Sequence, residues 1–247
     1  MSKQRYVSQE LTHFVGSRLK DLYKSTADCE SSQYNLLIKI LQQGELGKIH
    51  AGRGATIAML GKGIGTPLSS NEKVHAQQVC FCDIPVEDLS LHMQKYSRFG
   101  LAFAKEHLVT RGATPVFYVS QGSRVTSSSL YSILATRTPP TNLREEFDGY
   151  SAEWEQFSIR SQAGGHRADI FSLEQKLNWL FFARLKFFDS TKDEDDEENF
   201  YMEREWRVFG TVPFTIEDIA RVILPRSFAK QFHADVPEYW GQLTFSE

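Results

Sequence analysis

Cysteine is scarce in this 247-residue chain: Cys29, Cys80 and Cys82 are odd in number and too few to staple a small fold. Sparse thiols suit a reducing cytoplasm and argue against a disulfide-framed secreted protein. No excess of one charge is present. With 28 Lys+Arg against 31 Asp+Glu the formal net charge is -3, so no global field draws the chain to DNA or RNA. Long apolar runs are missing too. The longest, Trp179 to Phe188, is broken by Arg184 and Lys186 and falls well short of the roughly 20 residues a membrane helix needs. The segment MSKQRYVSQELTHF has no apolar h-region, so a secretory signal is not expected. Neither a 20–50-residue repeat nor a Pro- or Gly/Ser-rich linker divides the chain. The sequence does hold 41% hydrophobic and 24% charged residues, an ordinary globular balance. A chain of this length buries roughly 70% of its unfolded surface and needs no metal to fold. Aromatics reach 13%, with 18 Phe, which supplies core and pocket walls without naming a ligand.

The patterning predicts a single α+β domain over residues 1–247, with loop insertions near 47–77 and 189–198. Leu11 to Val15 reads as an opening strand. Ser31 and Ser32 are placed to cap a helix whose Tyr34, Leu37, Ile38 and Leu41 fall at i, i+3, i+4 and i+7, with Gly44 ending it. Residues 47–77 carry Gly47, Gly52, Gly54, Gly61, Gly63 and Gly65 and little periodicity, hence a loop. Val79–Cys82, Gly100–Phe103, Val116–Val119, Tyr201–Thr211 and Ala220–Leu224 are strand-like. Helices are predicted after Pro85, near Lys105–Thr110 and from Ser172 through Arg184. Thr215-x-x-Asp218 reads as a capped turn.

The most informative segment is Glu203-Arg204-Glu205-Trp206-Arg207. On a strand, period two sets Glu203, Glu205 and Arg207 on one face. Two carboxylates so close are costly to bury, so they are expected to face solvent or a polar cleft. Cleavage of an N-glycosidic bond uses a fixed carboxylate to stabilise an oxocarbenium-like sugar. Glu205 suits that role, and Glu203 suits orienting or deprotonating a nucleophile. An exposed charged strand face is the equally ordinary alternative. His13 shares a face with Leu11 and Val15, which fits a core histidine better than a ribose or amide donor. His92, Lys95 and Tyr96 can share a helix face, and Arg98 has the fork to hold a pyrophosphate. A solvated helix flank explains them as well. Cys80-x-Cys82 matches no zinc spacing, so no metal is expected. Gly61-Lys62-Gly63-Ile64-Gly65 lacks the Lys-Ser/Thr of a phosphate loop. The run Asp189–Glu198, seven acids and one Lys, reads as a solvated loop, with docking of a basic protein as the sharper alternative.

Taken in order, Glu10-Leu11-Thr12-His13-Phe14-Val15-Gly16, Tyr34-x-x-Leu37 through Ile40-Leu41, and Val79-Cys80-Phe81-Cys82-Asp83-Ile84-Pro85 resemble the AbiGi family of abortive-infection proteins. His92-Met93-x-Lys95-Tyr96-x-x-Phe99-Gly100-x-x-Phe103, Pro115-Val116-x-Tyr118-Val119 and Glu203-x-Glu205-Trp206-Arg207 continue the pattern, over about residues 8–120 and 170–230. The resemblance implies bacterial phage defence and an antitoxin paired with a nucleotidyltransferase-like toxin. A more distant likeness is to DarT-type ADP-ribosyltransferases. It implies two small sheets around an NAD-binding cleft with flanking helices, His13 on the NAD ribose, Glu205 as the catalytic carboxylate and a macromolecular acceptor. Glu203-x-Glu205 resembles the paired glutamates of transferases that modify side chains. Phe81 or Tyr96 would then form the nicotinamide wall, because no Ser-Thr-Ser segment follows the second strand. Two readings therefore stand side by side: an NAD-dependent ADP-ribosyltransferase, and a non-enzymatic antitoxin that binds a toxin. A DNA-binding repressor is disfavoured by the charge and the lack of a helix-turn-helix.

Overall fold

The computed structural model describes residues 8–47, 78–123, 142–163, 181–193, 195–196 and 198–246. The chain gathers into two compact units, one of residues 1–53, 78–115 and 203–247, the other of 54–77 and 116–202. The predicted glycine-rich loop, from residue 48 to 77, lies outside the described residues, as does most of the helix predicted from Ser172.

The first unit is built on a seven-stranded sheet, where two small sheets were expected. Its strands are β1 (Glu10–Phe14), β3 (Gln78–Cys82), β4 (Gly100–Ala104), β5 (Thr114–Pro115), β8 (Glu205–Phe209), β10 (Ile219–Leu224) and β11 (Gln242–Phe245). They lie in the order β11-β10-β4-β1-β3-β8-β5, antiparallel except for the β10–β11 pair. A short ladder of β2 (Glu45–Leu46) and β9 (Val212–Pro213) stands apart from that sheet.

Register sorts the side chains. Thr12 pairs with Cys82 and Cys82 with Glu205, so all three share one face, and Leu11, Phe81 and Val208 take the other. The apolar face carries the main core. Leu11, Phe81, Leu101, Phe103, Val208 and Val222 pack there with Tyr34 and Leu37 of helix α1 (Thr26–Gln43) and Phe232 of a later helix. The second face carries a smaller cluster of Cys82, Ile223, Leu89 and Met93. Met93 comes from α2 (Ser90–Lys95), which follows a 3-10 turn at Val86–Asp88, so Pro85 opens that turn and not a long helix.

Helix α1 starts earlier than Ser31. Ser25 caps it by accepting from the Asp28 N–H at 3.4 Å, and Asp28 sits favourably in the first turn. Ser31 is already interior, its hydroxyl donating to the Ala27 carbonyl. Gly44 ends the helix at φ 62°, donating to the Ile40 and Leu41 carbonyls. A Cβ there would also come within 2.9 Å of the Phe214 carbonyl, so the close approach reinforces the need for glycine. Helix α3 (Lys105–Val109) follows β4 as expected. Thr215 and Asp218 close a capping box before β10.

In the second unit β6 (Phe117–Ser120) and β7 (Leu185–Phe188) pair in parallel, and α4 (Leu143–Ala163) seats Phe147 on Phe187 with ring centroids 5.7 Å apart. Arg184, predicted to be helical, lies in a 3-10 turn before β7. The acidic run folds around Lys192, which reaches Asp196 at 3.2 Å and Glu198 at 2.7 Å. The first unit ends with α5 (Ala229–Asp235), the helix that carries Phe232 and that the sequence patterning missed.

Leu101 is fully buried on the central strand β4. Leu101→Ala is expected to lower the unfolding free energy by about 3 kcal/mol, the transfer term plus a cavity, as read from urea denaturation. A change below about 1 kcal/mol would show that this core collapses around the deletion.

Candidate functional site

The two glutamates sit where β8 begins, but not as one continuous strand. Glu203 ends a 3-10 turn, Phe200–Glu203, and only Glu205 and Arg207 belong to β8. Arg204 between them holds φ 44°, the left-handed region that a non-glycine residue seldom adopts. Asp83 supports the kink by donating its N–H to the Arg204 carbonyl at 3.1 Å. Nothing in the local sequence, which lacks glycine, marks this turn.

The expectation that these carboxylates face solvent or a polar cleft is overturned. Glu203 and Glu205 are each 6% exposed, and Arg207 is 9% exposed. Burial is tolerable because each charge meets an opposite one. Arg207 grips Glu205 with Nε at 2.7 Å and Nη2 at 3.1 Å, a two-point contact across one strand face. Lys95 donates to Glu203 Oε1 at 2.9 Å, and the Tyr96 hydroxyl donates to the same oxygen. The cluster therefore pairs two carboxylates with two cations.

Burial, with the Glu203 charge close behind, pushes the Tyr96 phenol far up, which keeps it a proton donor. Burial likewise pushes the Cys82 thiol up to about 12, with Asp83 and Glu203 adding to the shift. Phe14 lies against both the His92 and Tyr96 rings, at 6.3 and 5.9 Å, and covers this side of the cluster with apolar surface. The helix face shared by His92 and Tyr96 thus forms as the spacing predicts, with rings 6.2 Å apart.

The other predicted site residues are elsewhere. His13 occupies the opposite face of the sheet from Glu205, since Thr12 and not His13 is in register with Cys82. Its Nδ1 meets the Cys80 carbonyl at 2.8 Å, and burial lowers its pKa, favouring the neutral ring. Phe81 is 2% exposed in the main core, packed 5.8 Å from His13 and 6.2 Å from Phe103. Arg98 spends its guanidinium on Glu30 Oε1 at 2.7 Å and the Ser246 carbonyl at 2.5 Å. It lines a surface cavity of about 310 Å³ with Lys20, Lys24, Cys29, Gln33 and Met93, and neither Glu203 nor Glu205 borders that cavity. The structure thus unites Glu203, Glu205 and Tyr96 and leaves His13, Phe81 and Arg98 outside their cluster.

The residues that pair with Asp83 escaped the sequence reading. Asp83 accepts two contacts from Lys105, at 2.9 and 2.8 Å, and Arg204 comes within 3.9 Å. Lys105 also lies over the Trp206 ring, 5.3 Å from its centroid. The only early signal was Asp83 ending a strand; its partners are distant in sequence. Among the described residues no group of three or more His, Cys, Asp or Glu is arranged to hold a metal ion. No described helix is long and apolar enough to cross a membrane.

A family model described as "Putative abortive phage resistance protein AbiGi, antitoxin" matches residues 69–235. That span holds Lys95, Tyr96, Glu203, Glu205 and Arg207, but not His13. No curated protein and no solved structure matches the chain.

Arg207→Ala is expected to cost about 3–5 kcal/mol of unfolding free energy, because it strands a buried carboxylate. Replacing both partners, Glu205→Leu with Arg207→Met, is expected to recover most of that loss in the same urea titration. An equal loss in both variants would place the damage in packing and not in the stranded charge.

A pH titration tests the raised acids. The Cys82 contribution is fully present below the unpaired thiol value of 9.0 and is lost as pH climbs toward about 12, since only the unfolded chain ionises in that window. Melting temperature is expected to fall over this range, and less steeply for Cys82→Ala.

Proposed function

The chain belongs to the AbiGi family, and from that premise we propose that it is a protein antitoxin that restrains its cognate toxin by direct, non-catalytic binding. The family description ties the chain to abortive phage resistance and names the antitoxin role. The observation that carries the non-catalytic part is the closed state of the glutamate cluster. Glu203 and Glu205 are buried and matched by Lys95, Tyr96 and Arg207. A carboxylate that stabilises a sugar cation needs to reach substrate, and one already gripped at two points by a guanidinium has its charge spent. On this reading the cluster fastens the start of β8 to α2.

The ADP-ribosyltransferase reading asks for His13 and Glu205 in one cleft with NAD. Opposite sheet faces and a buried Phe81 weigh against that assembly. The nucleotidyltransferase-like character of the toxin follows from the family resemblance and belongs to this proposal.

Two measurements decide. Co-expression with its cognate toxin is expected to restore growth, and the purified pair is expected to co-elute as a complex. Calorimetry with NAD is expected to show no binding heat, and incubation with labelled NAD and cell extract no nicotinamide release. Label transfer that disappears in Glu205→Gln would overturn the proposal in favour of the enzyme.

A further inference from the structure

We propose that the second unit carries the toxin-docking face, an aromatic stripe set in acidic surroundings that receives a basic surface of the toxin. This rests on the antitoxin reading and adds to it the place and the chemistry of contact.

The exposed aromatics are unevenly shared. Phe117 at 47%, Tyr150 at 49%, Phe157 at 52%, Phe181 at 53% and Tyr201 at 56% all belong to the second unit. Among the described residues of the first, only Tyr23 and Trp240 stand out so. Tyr201 packs on Tyr118 and Phe188, on the other face of the β6–β7 pair from Phe117. Aromatic side chains bury about 150–250 Å² when covered, so the remaining four at half exposure leave on the order of 400 Å² of apolar surface. That is the size of the larger apolar patches monomers show, and such patches mark interaction sites.

The placement is ordered. Phe147, Tyr150, Trp154 and Phe157 recur at spacings of three, four and three along α4, one stripe of a helix. The stripe is seated at one end, where Phe147 packs on Phe187. Trp154 and Phe157 continue it, 5.6 Å apart, with the Phe157 ring half exposed. Pairing of Phe117 with Leu185 and of Val119 with Phe187 puts Phe117 on the same face of the β6–β7 pair as the Phe187 that receives Phe147. Phe117 there stacks with Phe181, centroids 6.4 Å apart.

The sequences of helix α4 and of the run 189–198 are acidic on balance. Helix α4 carries Glu145, Glu146, Asp148, Glu153 and Glu155 against Arg144 and Arg160. The acidic run 189–198 meets the start of α4 through the end of β6. Ser120 bonds Ser190 at 3.2 Å, Arg144 bonds Gln121 at 3.1 Å, and the Leu143 N–H donates to the Ser123 carbonyl at 2.8 Å. Apolar rings for anchoring beside a negative field for steering fit a partner surface with Lys/Arg around apolar pockets. A second copy of this chain would bring the same negative charge to the contact, which disfavours self-association through this face.

The test uses the full-length chain and its purified cognate toxin, by calorimetry at low and high salt, about 50 and about 300 mM. Tyr150→Ala with Phe157→Ala is expected to weaken toxin binding at least about tenfold, as loss of central aromatic anchors does. The control Trp240→Ala, whose residue is 92% exposed in the first unit, is expected to keep wild-type affinity. Wild-type affinity is expected to fall with added salt. Equal affinity of wild type and double variant, with both folded by circular dichroism, would overturn the docking face. A double variant that alters oligomeric state while holding toxin affinity would also overturn it, assigning the face to a second copy. Affinity that does not fall with salt would overturn the basic character of the partner. No wild-type binding to the toxin at all would instead overturn the antitoxin reading.

Discussion

The two-point grip of Arg207 on Glu205 permits a sheet strand to carry two charges on a face that water does not reach. Without the guanidinium, a carboxylate next to Cys82 and within the field of Glu203 would be uncompensated in a medium where charge is expensive. Several features follow from that contact. Glu205 opens β8, so fixing it fixes where the strand starts and hence its register with β3, Cys82 opposite Glu205 and Phe81 opposite Trp206. That register sends Trp206 and Val208 to the apolar side, where Val208 joins the main core. The left-handed turn at Arg204 brings Glu203 to the Lys95 and Tyr96 side chains at the C-terminal end of α2. Sheet, turn and helix thus share one set of charges.

Local chemistry was legible and long-range pairing was not. The opening strand at Leu11, the glycine stop at Gly44, the strand through Val79 and Cys82 and the capping box at Thr215 all depend on neighbours a few residues away. Period two also placed Glu205 and Arg207 on one face correctly. What period two could not supply was the partner of that face. Burial of Glu203 depends on Lys95 and Tyr96, more than a hundred residues earlier, and burial of Asp83 depends on Lys105. Spacing alone therefore made exposure the safer inference. Ser31 misled for a related reason: it bonds back to Ala27 inside the helix, while Ser25, further from the apolar stripe, does the capping. The second unit went unannounced because its two segments are inserted among three stretches of the first, and the glycines at the first join read as an ordinary loop.

The same geometry bears on what kind of protein this is. Paired glutamates two residues apart invite a catalytic interpretation, because their spacing cannot distinguish a cleft from a closed charge network. Burial and partners make the distinction. A catalytic acid is normally held with part of its hydrogen-bonding capacity turned toward substrate, in an environment that tunes its proton affinity. Here the described partners of Glu205 and Glu203 come from within the protein's own sheet and helix, and the aromatic cover of Phe14 lies over Tyr96. Paired in this way, the two glutamates favour the proposed binding role over catalysis at this cluster.

Charge placement, more than net charge, then decides how such binding proceeds. The run from Asp189 to Glu198 holds seven acids and one Lys, a local -6, so the rest of the chain carries +3. A basic partner is therefore drawn toward one segment and mildly repelled by the remainder. The Debye length near physiological salt is about 8 Å, so a compact run acts over roughly its own dimensions while the dispersed positive charge is largely screened. Lys192 tightens the effect by gathering Asp196 and Glu198 into one place instead of letting the acids spread. Steering by such a segment raises the rate of encounter, but it cannot hold a toxin for long, since exposed ion pairs each contribute little. Lasting restraint needs apolar burial next to the charge. In the proposed docking, the half-exposed rings of the same unit supply that surface.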